Sequence, residues 1–134
     1  MEEHYVNFEI AKLLKEKKFQ ALCKQCYDTN GTISCKWIEP DIPFNYFNVP
    51  YYLCPTCEQV LIFFIRKYKL FISIDYDYYE DEGEGKFCFG YTINKMELLD
   101  DEYKEVIREV GKDLYPTYEE AIEAAIKHVL ENLI

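Results

Sequence analysis

The chain has 134 residues, 49% of them apolar, with thirteen Tyr, nine Phe and one Trp, and a formal net charge of -10. That length and apolar share suit a single domain over residues 1–134 with a core of its own, and they exclude a disordered chain. The acidic start Met1-Glu2-Glu3-His4 lacks the basic-then-apolar order of a secretory signal, and the longest strongly apolar run is Val60 to Ile65. A soluble, cytoplasmic protein with no membrane span is therefore expected, its cysteines reduced or metal-bound rather than paired as structural disulfides.

Asn7 suits a helix cap, and Phe8, Ala11 and Leu14 repeat at helical spacing, which predicts a first helix over 8–18. Residues 23–29 and 32–38 flank Asn30-Gly31, a dipeptide that tolerates positive φ, so two antiparallel strands joined by a tight turn are expected. Pro40, Pro43 and Pro50 break up the aromatic-rich stretch that follows and mark an ordered loop. Residues 58–66 fit a buried strand or a buried helix. Pro55 as a first helical residue, Glu58 in the first turn and Arg66, Lys67 and Lys69 in the last favour a helix that complements its own dipole.

Residues 70–78 and 86–94 alternate apolar and polar side chains around Glu82-Gly83-Glu84-Gly85 and predict a second hairpin. The last third reads as two helices, 98–110 ended by Gly111 and 118–133 opened by a Thr117/Glu120 capping pair. Ile122, Ala125, Ile126, Val129, Leu130 and Leu133 give the final helix an apolar side for docking. The fold class expected is α+β: antiparallel β-hairpins packed against an N-terminal, a central and C-terminal helices.

Three stretches resemble a group of small uncharacterised proteins of tailed phages and mobile elements of gut anaerobic bacteria. They are residues 8–17, then Pro55-Thr56 followed by 66–74, then 118–127. The resemblance implies a small α+β fold with helix then strand from Pro55 to Ile74, and it implies no activity. This chain departs from that group at Cys26, Cys54 and Cys57.

The charge is unevenly placed. Residues 1–67 carry eight Lys/Arg against eight Asp/Glu, and residues 68–134 carry seven against seventeen. Such a surface repels phosphate backbones and argues against direct nucleic-acid binding, unless Lys12, Lys15, Lys17 and Lys18 act alone. A solvated acidic face, a basic partner protein and an acidic mimic of nucleic acid all fit this charge.

Two Cys-x-x-Cys pairs, Cys23/Cys26 and Cys54/Cys57, carry the sharpest chemical signal. Four thiolates in two short loops are the donor set of a structural Zn²⁺. Closing the 27-residue span between Cys26 and Cys54 costs about 3 kcal/mol, against the ~10–16 kcal/mol that such a metal contributes. Buried free thiols are the plainer reading of the same four residues. A third is thiol–disulfide exchange with Cys54 as nucleophile and Cys57 as resolving thiol, since Cys54-Pro55-Thr56-Cys57 opens a helix whose amides would favour a thiolate.

Cys35 and Cys88 read as small core residues, and His4 and His128 as surface or core-edge histidines. Asp75, Asp77 and Asp81 hint at calcium, but Glu80 and Lys86 stand where a loop of that kind needs Gly and Glu. Tyr46, Phe47, Tyr51, Tyr52, Tyr76, Tyr78 and Tyr79 supply core packing or a contact surface. The function expected is that of a non-catalytic, acidic accessory or protein-interaction protein of phage or mobile-element type.

Overall fold

The computed structural model describes residues 3–38 and 51–134, with 34–38 described through their backbone. Helix α1 spans Phe8–Glu16, and its N-cap Asn7 accepts the Ile10 amide at 2.9 Å. Strands β1 (Cys23–Asp28) and β2 (Ile33–Ile38) pair antiparallel, and β3 (Tyr51–Cys54) closes a sheet of order β2-β1-β3. At their turn Gly31 takes φ +82°, and the Asp28 carboxylate accepts the Asn30 and Thr32 amides. The expected loop across Pro40, Pro43 and Pro50 lies outside the described residues.

The ambiguous central run is a helix, α2 (Cys57–Tyr68). Its cap is Thr56, in a reciprocal capping box with Gln59, so Pro55 precedes the cap instead of occupying the first helical position. Lys69 then adopts φ 55°, and strand β4 (Leu70–Asp81) starts at the next residue.

β4 pairs antiparallel with the 16-residue β5 (Glu84–Leu99) in unbroken register, and β5 pairs with β6 (Glu102–Val110), giving the order β4-β5-β6. The helix expected over 98–110 is therefore a hairpin. Asp100 and Asp101 take φ 51° and 65°, the two positive angles a two-residue hairpin turn requires. Leu98, Leu99, Tyr103, Val106 and Val110 all stay exposed, so no helical stripe finds a core. Val106, Ile107 and Val110 fit a pleated strand better than a helix.

Helix α3 (Tyr118–His128) is capped by the Thr117 hydroxyl, which accepts the Glu120 amide at 3.1 Å, and it runs on into a π-helical turn, Val129–Leu133. Ile10 and Leu14 of α1, Val60 and Phe64 of α2, Ile122 and Ile126 of α3, Val129, Leu53 and Ile93 meet in one buried core. The architecture is α+β with antiparallel sheets and flanking helices. No helix among the described residues is long and apolar enough to cross a membrane.

Candidate functional site

Cys23 opens β1, Cys54 ends β3 and Cys57 opens α2, and all three are buried free thiols. The segment before α1 is stitched against them. The Val6 amide donates to the Pro55 carbonyl at 3.0 Å, and the Val6 carbonyl accepts both the Tyr27 hydroxyl at 2.7 Å and the Cys54 thiol at 3.5 Å. Burial pushes the Cys23 thiol up to about 12 and Cys57 to about 12, with Cys54 adding to both, and Cys54 itself is raised by burial. Three of the four sulfurs thus share one neighbourhood.

Cys26 is different: it is disulfide-bonded, and the residue across the register from it is Cys35. The expectation of reduced or metal-bound cysteines does not extend to it. Its sulfur is committed and is not a free thiolate donor beside Cys23, Cys54 and Cys57. Among the described residues no three His, Cys, Asp or Glu side chains are arranged to hold a metal ion. With Cys26 paired, the two Cys-x-x-Cys motifs present three free thiols and not four.

The same burial weighs against thiol exchange by Cys54 and Cys57. The amides at the start of α2 are already engaged, Cys57 donating to the His4 carbonyl at 2.8 Å and Gln59 to Thr56 Oγ1 at 3.2 Å. Little of that helix end is left to stabilise a thiolate.

The lysines of α1 are also occupied. Lys12 lies over the Phe8 ring and Lys15 over the Tyr52 ring, while Lys17 Nζ donates to the Ile134 carbonyl at 2.7 Å. His128 is paired with Glu109 on β6 at 2.5 Å, and His4 lies 3.0 Å from Glu123.

What the fold does present is an arm. In the β4/β5 register Leu70, Ile72, Ile74, Tyr76 and Tyr78 share a face with Ile93, Tyr91, Phe89 and Phe87. The near end of this stripe is core: Leu70 and Ile93 are buried, and Ile72, Ile74 and Tyr91 pack against them. Phe89 meets the Tyr118 ring edge-on. From Tyr76, opposite Phe89, the stripe continues uncovered, with Tyr76 73%, Phe87 54% and Tyr78 52% exposed, and the Phe87 ring packed against those of Tyr76 and Tyr78. β6 reaches no further than Thr92, so the distal hairpin projects as two strands for about 20 Å.

The arm is acidic as well as aromatic. Asp75, Asp77, Glu80, Asp81, Glu82 and Glu84 lie along it, and Lys86, paired with Asp81 at 3.1 Å, is its one cation from Asp75 to Lys86. A groove of about 760 Å³ runs beside it, between Asp77, Tyr79, Lys86, Phe87 and Cys88 on the arm and Leu114 to Pro116 opposite. Cys88, expected in the core, is half-buried on the arm with its thiol 3.8 Å from the Asp77 carbonyl.

Tyr76, Tyr78 and Tyr79 stood out in the sequence as aromatics among acids, but Phe87 and the wall at Leu114 did not. The overlooked signal was strand length, since the alternation runs on past the point where a core of this size can cover it. Compared with known families, curated proteins and solved structures, the chain matches none.

Proposed function

We propose that this is a non-catalytic accessory protein that binds a basic partner protein through the β4/β5 arm. The observation that carries the reading is the aromatic stripe, which leaves the core and continues, uncovered and flanked by carboxylates, to the hairpin tip. Exposed contiguous aromatic surface on a folded protein marks a contact site, and Tyr rings ringed by acids match a cationic surface rich in Arg. An acidic mimic of nucleic acid uses carboxylates alone and leaves Tyr76, Tyr78 and Phe87 without a task.

Site-specific photocrosslinking tests this. A photoreactive amino acid at position 76 should capture a basic protein in the host cell, and the same group at exposed Tyr103 on the β5/β6 hairpin should not. Capture must fall when Tyr78→Ala and Phe87→Ala are added. Equal capture from both positions, or capture indifferent to the aromatic substitutions, refutes the reading.

A further inference from the structure

The arm has two open sides, and they are not equivalent. In the unbroken β4/β5 register, residues alternate between pointing their main-chain groups at the partner strand and pointing them away. Phe89 points away, because its amide and carbonyl both bond to Tyr115, each at 2.8 Å. By the same alternation Gly85 and Phe87 also point their amides and carbonyls outward on that edge. Tyr115 is the last residue to cover it: Pro116, without an amide hydrogen, follows, and Thr117 caps the departing helix α3. Among the described residues nothing pairs with Gly85 or Phe87 on that side.

On the other side, β4 is blunted where it matters. The Tyr78 amide points outward there and is taken by the carboxylate of its neighbour Asp77 at 2.9 Å. An open strand edge invites pairing unless it is closed in some such way. The β5 edge is not closed, and beside it lies the groove, which covers the Asp77/Cys88 and Tyr79/Lys86 face of the arm and is bounded by Leu114 to Pro116.

Resting on the interaction role just proposed, we infer that the β5 edge at Gly85 and Phe87 receives an extended, basic segment of the partner as an added strand, in line with Tyr115. The occupant follows from charge. A second copy of this chain would set six carboxylates against six, whereas an Arg/Lys-bearing strand meets Glu84 with one row of side chains, beside a Lys86 already paired with Asp81, and the Phe87 and Tyr78 rings with the other. Main-chain bonds supply affinity in this mode, and alternate side chains supply choice.

The test uses the full chain and a synthetic peptide of alternating arginine and valine. Saturating peptide should slow amide exchange at Gly85 and Phe87 by about tenfold or more, and N-methylation of alternate peptide amides should weaken binding by at least about tenfold. If the methylated peptide binds as well, the arm attracts basic chains but the strand slot is refuted, and the interaction role stands on its crosslinking result. If neither peptide protects those amides, the slot is likewise refuted. A dimer in sedimentation that the peptide dissociates assigns the edge to a second copy and overturns the basic occupant.

Discussion

The Tyr78 ring lies across Gly85: a Cβ at position 85 would come within 2.7 Å of Tyr78 Cε2 and 2.9 Å of Cζ. Gly85 is thus the bare spot on which an exposed ring is laid flat, an aromatic covering a glycine across a strand pair. Gly85→Ala should lift the ring and speed amide exchange along residues 78–87. Because both residues are exposed, the unfolding free energy from urea titration should change by less than about 1 kcal/mol. Loss of the whole fold would show that the arm is not the separable projection described above.

Alkaline pH tests the buried thiols. Folded Cys23 and Cys57 hold their protons up to about 12, while an unfolded thiol releases its proton near pH ~8.5. Between those values the unfolded chain binds fewer protons, so stability is fully present below about pH 8 and falls as pH rises, by at most about 1.4 kcal/mol per unit for each thiol. Urea midpoints from about pH 8 to about pH 11 should fall steadily in the wild type, and less steeply in Cys23→Ala and Cys57→Ala.

Metal removal should do nothing to the fold. With Cys26 disulfide-bonded and the other three thiols protonated in the core, the melting temperature should be the same before and after treatment with a strong zinc chelator. A drop of many degrees, restored by zinc, would revive the four-cysteine site.

The β5/β6 turn is built from two aspartates in left-handed backbone, φ 51° and 65°. Asp100→Asn with Asp101→Gly supplies the residues this turn prefers and should stabilise the protein by about 1 kcal/mol. Were 98–110 a helix, the same glycine would cost about 1 kcal/mol, so the sign of the change distinguishes the two.

Phe64→Ala removes a fully buried ring from the meeting point of α2 with the rest of the core. A loss of about 3–5 kcal/mol is expected in denaturant titration.

Local chemistry made much of this fold readable. Asn7 and Thr117 each cap the helix their position announced, while Thr56 took the cap one residue after the Pro55 expected to open α2, and Asn30-Gly31 turns where its tolerance of positive φ says it should. The 98–110 segment misled because Glu, Lys and Leu there score well as helix while the deciding fact lies elsewhere: the free edge of β5, distant in sequence, offers β6 a ladder. Asp100-Asp101 was a turn signal weaker than Asn-Gly. Cys-x-x-Cys spacing brought Cys23, Cys54 and Cys57 into one neighbourhood, yet spacing carries no information on which cysteine lies opposite Cys35. The arm was half legible, since Tyr76 and Tyr78 alternate with acids, but whether a stripe is covered depends on how far β6 and Tyr115 extend.

The reciprocal pair of hydrogen bonds between Phe89 and Tyr115 is where the body of the molecule stops. Outboard of that seam, residues 76–87 are exposed, and substitutions there should change the folding free energy little. Under the interaction role proposed above, descendants of this sequence would change whom they recognise by mutation at the tip, with selection on the remainder acting separately.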